Sequence, residues 1–208
     1  MKDLRKGKVS CYILMSMLSQ NFVWVALSIT LLGNFFYMRD TLIGKTKPNR
    51  VTFFLWGVAP LVAYFSQRAG GGGLQTLYTL IIAIVPFLIL ASSFVNKEAY
   101  WAITKFDIAC GSISVLALVF LVVSGDAIIA LILSMLADFF AALPTLIKSY
   151  KFPETETAIS YAVEVISSII VLLTIHHWIF VNYIFAVYIL CMCVLFTSLL
   201  TFPRKKLA

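Results

Sequence analysis

Apolar residues run through this chain in blocks of about 20 positions, parted by short polar turns. An α-helix rises about 1.5 Å per residue, so about 20 apolar residues cross the hydrocarbon core of a bilayer. Seven such blocks are read, at 20–40, 51–67, 74–94, 108–123, 127–148, 157–175 and 180–201. A transmembrane β-barrel would instead show alternating segments of about 10 residues. Hydrophobic residues make up 62% of the chain and charged residues 12%. A soluble domain is about half apolar and a quarter charged. The expected class is therefore an all-α polytopic membrane protein, whose spans leave no room for a sizeable soluble domain.

The formal net charge is +7, from 16 Lys and Arg against 9 Asp and Glu. These bases sit in turns and tails, where they set topology on a membrane. They do not form a basic-aromatic surface, so nucleic acid is not an expected partner. Five of them fall on one side (Lys2, Arg5, Lys6, Lys8, Arg68) and eleven on the other, including Lys45, Lys47, Lys148, Lys151 and Arg204–Lys206. The richer side should be cytoplasmic, in a plasma or inner membrane, with the N-terminus outside and the C-terminus inside. The N-terminal segment, 1–19, reads as a basic interfacial or extended first helix rather than a cleaved signal, since no A-x-A-like site follows it. Residues 203–208 read as a basic tail. Cys11, Cys110, Cys191 and Cys193 lie in or beside apolar runs and read as small packing residues.

The order of the blocks carries an internal repeat. Residues 26–47 and 130–151 align without a gap at an offset of 104, and nine of 22 positions are identical. The shared pattern is Phe35-Phe36 with Phe139-Phe140, then Thr41-Leu42-Ile43 with Thr145-Leu146-Ile147, then Lys47 with Lys151. After a slip of one residue Pro48 matches Pro153 and Thr52 matches Thr157. The first span thus pairs with the fifth and the second with the sixth. The third and seventh pair by position, and the fourth is left over. The expected fold is two parallel three-helix repeats, at 20–95 and 125–202, joined by a linker helix with its loop at 96–124. An odd linker gives both repeats the same orientation, related by an axis along the membrane normal.

In the second repeat Leu143-Pro144-Thr145-Leu146-Ile147-Lys148 leads into Glu154-Thr155-Glu156-Thr157. With the three-one-three plan, this resembles the SWEET and PQ-loop family of small-molecule transporters. Pro144 stands at the proline of the family's proline-glutamine pair and Thr145 in place of the glutamine; Asp40-Thr41 stand at the equivalent place in the first repeat. The resemblance implies alternating access to a site between the repeats. It also implies hinge prolines on the second and fifth helices, at Pro60 and Pro144. Proton-coupled members carry an acidic residue where Glu164 stands.

Asp138 is the strongest site candidate on the residues alone. It lies near the middle of the fifth span, where an insertion cost of about 2.5–3.5 kcal/mol goes against a carboxylate. Such a residue faces the bundle interior and marks a pathway, a proton site or an interhelical hydrogen bond. Its repeat partner is Asn34, a near-isostere, expected to face it across a central site. Glu164 is the third candidate. Small residues (Gly33, Ala137, Ala141, Ala142) should let helices approach closely. Trp24, Tyr37, Trp56 and Tyr161 are candidates for a cavity wall.

The expected function is transport of a small polar solute of unknown identity, with proton coupling as an option. A seven-helix sensor, scaffold or assembly factor is the alternative. No H-E-x-x-H, G-x-S-x-G or phosphate-loop motif occurs, so an enzyme is not expected, nor a cofactor or metal. The partners expected are the lipid bilayer and the solute, with a homo-oligomer as an option.

Overall fold

The computed structural model describes residues 18–99 and 101–202. The basic cluster and most of the expected interfacial helix at 1–19, and the basic tail at 203–208, lie outside the described residues.

Among the described residues seven α-helices follow one another: α1 (Phe22–Leu42), α2 (Arg50–Ala69), α3 (Thr76–Val95), α4 (Lys105–Ser124), α5 (Ala127–Lys151), α6 (Ala158–Leu173) and α7 (Phe180–Thr201). A 3₁₀ turn, Pro153–Thr155, lies between α5 and α6. Four helices, α1, α3, α5 and α7, are long and apolar enough to cross a membrane. Helix starts are fixed by polar side chains that satisfy otherwise unpaired backbone N–H groups. Asn49 Oδ1 accepts from the N–H groups of Val51 and Thr52, and Asp126 Oδ1 from those of Ile128 and Ile129. Thr104 and Asp107 form a reciprocal capping box at the start of α4.

The packing is ordered. α3 lies against both α1 and α2, and α7 against both α5 and α6. Between these groups α1 packs on α6, and α2 on α5. α4 lies outside, against α5 and α2. Large apolar side chains point outward on every helix, among them Leu32, Phe35, Phe36, Phe139 and Val194. Inside are Thr30, Ser134, Asp138, Glu164, Ser167 and Ser168. This distribution, apolar outside and polar inside, suits a lipid surround and not water. The repeated Phe-Phe pattern thus belongs to the exposed surface: Phe35, Phe36 and Phe139 are all exposed.

The glycine turn between α2 and α3 is anchored to the start of α7. Gly73 N–H donates to Asn182 Oδ1 at 3.3 Å, and Gln67 Nε2 donates to the Val181 carbonyl at 2.8 Å. Gly71 takes φ of +84°, a conformation that favours glycine.

Gly33 sets the closest approach of α1 to α6. A Cβ there would lie 2.6 Å from Val163 Cγ1, and the Gly33 carbonyl accepts from Ser160 Oγ at 2.7 Å. Overpacking of this kind costs about 1–3 kcal/mol. Gly33→Ala should therefore lower the thermal unfolding midpoint of the detergent-purified protein. Adding Val163→Ala, which removes the atoms that the new methyl meets, should recover most of the loss. A Gly33→Ala protein as stable as the parent would show that α1 and α6 pack more loosely here.

Candidate functional site

A polar side chain in an apolar helix must find its hydrogen bonds within the protein, because lipid offers none. Glu164, on α6, finds them on two other helices. Its Oε1 accepts from Asn34 Nδ2 at 2.8 Å. Its Oε2 accepts from Thr30 Oγ at 3.2 Å and from Tyr78 Oη at 3.0 Å. Thr30 and Asn34 are one turn apart on α1, on the face turned to α6, and Tyr78 comes from α3. Ser168, one turn further along α6, lies 2.7 Å from the same Tyr78 hydroxyl.

Asp138 is held differently. Its Oδ2 accepts from Tyr188 Oη of α7 at 2.7 Å. Its Oδ1 accepts no hydrogen bond among the described residues. The side chain is nonetheless deep inside, with the residue 4% exposed. Trp56 of α2 donates its indole N–H to the Asp138 backbone carbonyl at 3.3 Å.

Asn34, Asp138 and Glu164 line one cavity of about 90 Å³ between the α1–α3 and α5–α7 groups. The space has room for several waters or a small organic solute. Asn34 does not pair with Asp138, as its repeat position suggested; it is committed to Glu164. The expected hinges, Pro60 and Pro144, are both buried inside their helices, and neither lines the cavity, whereas Pro86 of α3 does. Near Pro144 the α2–α5 contact is polar. Thr52 Oγ donates to the Ala141 carbonyl at 2.8 Å and accepts from Thr145 Oγ at 3.0 Å.

Aromatic rings close around one part of the cavity. Centroids are separated by 5.2 Å from Tyr37 to Phe53, 5.3 Å from Phe53 to Trp56 and 5.7 Å from Trp56 to Phe196. Phe196 stacks on Tyr161 at 4.6 Å, and Tyr161 returns to Tyr37 at 6.4 Å. All five rings line the cavity. Tyr37, Trp56 and Tyr161 are thus where a cavity wall was expected. Trp24 is not, because it is exposed.

Both tyrosine hydroxyls point to a second polar cluster at the loop end of α5. Glu156 Oε2 accepts from Tyr37 at 2.7 Å and from Tyr161 at 2.9 Å. Glu156 Oε1 pairs with Lys148 Nζ at 2.5 Å, with both side chains buried. The Lys148 ammonium also donates to the backbone carbonyl of Lys47 and lies 5.0 Å from the Trp101 ring centroid. The turns after α1 and α5 meet at this point. Lys47 N–H donates to the Thr155 carbonyl at 3.0 Å, and Thr46 Oγ lies 2.6 Å from Thr157 Oγ.

Lys148 is one of the bases that the charge count places in the turns, yet the structure buries it. Sequence offered one signal for this: Lys148 stands where the first repeat has Gly44, inside a run that stays apolar up to it. Tyr78, Tyr188 and Glu156 carried no such signal. The chain matches no family model and no curated protein by sequence, and no solved structure by fold.

Removing one member of a buried ion pair strands the other and costs about 3–5 kcal/mol, whereas removing both costs far less. Lys148→Met should accordingly destabilise the protein strongly in thermal unfolding, and Lys148→Met with Glu156→Gln should be clearly more stable than Lys148→Met alone. Equal midpoints for the single and double variants would mean that Glu156 does not depend on Lys148 for its counter-charge.

Proposed function

We propose that this chain is an integral-membrane transporter for a small polar solute, working by alternating access between two three-helix units. The observation that carries the proposal is the cavity at the junction of the α1–α3 and α5–α7 groups, with Asp138, Asn34 and Glu164 on its wall. Polar and acidic groups at such depth are costly unless they do work there or are fully satisfied. Glu164 is satisfied by its partners; Asp138 has an oxygen to spare.

The packing favours parallel repeats with α4 as the linker. Within each unit the third helix sits between the first two, and the units meet reciprocally, α1 on α6 and α2 on α5. This is the pattern that duplication of a three-helix unit would leave, and it supports the likeness to SWEET and PQ-loop transporters. In this reading the Lys148–Glu156 cluster and the aromatic ring close the end of the cavity that the lysine count assigns to the cytoplasm. Pro60 and Pro144 serve as hinges, since a proline leaves the carbonyl four residues earlier without its helical donor. A proton on Asp138 or Glu164 is the coupling ion where coupling occurs.

The test is flux. Purified protein in liposomes, challenged with pooled isotope-labelled metabolites, should accumulate a small solute that empty liposomes exclude. Asp138→Asn should abolish that flux or uncouple it from a pH gradient, while its unfolding midpoint stays near that of the parent. A folded Asp138→Asn protein with unchanged flux would remove Asp138 from the mechanism. Parent protein that moves nothing from the pools would tell against transport itself.

A further inference from the structure

Among the described residues the central cavity is lined by two carboxylates, Asp138 and Glu164, and by no lysine, arginine or histidine. The buried ammonium of Lys148 is already paired with Glu156. Glu164 uses both oxygens on Thr30, Asn34 and Tyr78. Asp138, by contrast, lines the cavity, is 4% exposed, and receives a hydrogen bond on Oδ2 alone among the described residues, which leaves Oδ1 without a donor. A carboxylate oxygen in that state calls for a donor or a cation from outside the fold.

The rest of the wall says which kind. Phe53, Trp56, Tyr161 and Phe196 present aromatic surface to the same space. Aromatic faces carry a negative quadrupole that attracts cations, above all alkylated ammonium ions. A hard metal ion would need a shell of oxygen ligands in place of its water. Aliphatic side chains such as Ile82, Val85 and Ile189 occupy much of the wall instead. Among the described residues no group of three His, Cys, Asp or Glu side chains is placed to hold a metal. A sugar would ask for several donors and acceptors, and most of those present are committed to one another.

We infer that the cavity binds a small organic ammonium ion, its charge against Asp138 Oδ1 and its alkyl groups against the aromatic wall. As a substrate class this rests on the transport reading; as a binding site it can be measured without it.

The probes are methylammonium, tetramethylammonium and choline, titrated into detergent-purified full-length protein in sodium-free buffer, by calorimetry and thermal shift. The control is 3,3-dimethyl-1-butanol, the uncharged carbon isostere of choline. At least one ammonium ion should bind, about tenfold or more tighter than the isostere. Asp138→Asn should lose that preference, and Phe53→Leu should weaken the ammonium ion by about threefold to thirtyfold. Should either variant fail to fold, the comparison of choline with its isostere on the parent protein still decides. Equal affinity for the charged and neutral probes would overturn the inference, leaving an apolar pocket. So would absence of binding by all three ammonium ions. Flux of a neutral solute without ammonium binding would defeat the ligand class and leave transport standing. Ammonium binding without flux would do the reverse.

Discussion

The carboxylate of Glu164 ties together helices that have little else to specify their register. Lipid-facing and core-facing apolar side chains are nearly equivalent in a bilayer, because lipid tails are as apolar as leucine. The hydrophobic effect that sorts a soluble core therefore does not choose which face of α1 meets α6. Hydrogen bonding does. Glu164 must be satisfied at a depth where water is scarce, and its donors come from α1 (Thr30, Asn34) and α3 (Tyr78). Each is a hydrogen bond to a group able to carry charge, worth more than a neutral one. Gly33 sits between the two α1 donors and removes the Cβ that would hold the helices apart. Small residue and polar partners act as one device.

The loop-end cluster repeats the principle with charges of both signs. Lys148 and Glu156 are deep enough that either alone would be costly, and each also takes partners from beyond the pair: Lys47 carbonyl for the first, Tyr37 and Tyr161 hydroxyls for the second. The tyrosines link the two levels. Their rings belong to the cavity wall and their hydroxyls to the cluster, so displacement of the Glu156 turn would be felt at the wall.

The helices were legible because apolar length is a one-dimensional property. The spans read at 127–148 and 180–201 fall on α5 and α7 with little change, and Asp126 caps α5. Asp138, Asn34 and Glu164 were legible as inward residues for the same reason that a carboxylate in hydrocarbon is costly. Their pairing was not. Repeat symmetry placed Asn34 opposite Asp138, but periodicity says which residues share a face of one helix and nothing of how two helices are rotated against each other. Asn34 turns to α6 because Glu164 stands there, and Glu164 has only Ala59 at its repeat position, so symmetry could not anticipate it. The tyrosines failed for another reason: Tyr78 and Tyr188 are ordinary belt residues until a carboxylate is known to lie within reach. Lys148 was misplaced because a lysine near a helix end normally reaches water. Here the following turn folds back over it.

The division of charge between the units bears on whether they can move apart. Asp138, Lys148, Glu156 and Glu164 all belong to 125–202, and the first unit answers the last three with neutral groups: Thr30, Asn34, Tyr37, Tyr78 and the Lys47 carbonyl. Lys148–Glu156 and Asp138–Tyr188 lie wholly within the second unit. Lys45–Asp40 lies wholly within the first. Rocking of one unit against the other would thus break neither of these ion pairs. It would exchange hydrogen bonds between units, each worth about 1.5–3 kcal/mol net when one partner is charged. Leaving one member of a buried ion pair without its partner costs about 3–5 kcal/mol by itself. A rigid clasp between the units would have put opposite charges on opposite sides of the junction. Among the described residues no ion pair crosses this junction, which is bridged instead by hydrogen bonds of hydroxyls, side-chain amides and backbone carbonyls. Such groups can also be met by water or by an entering solute, so the contacts that close the junction are of the kind a ligand can replace.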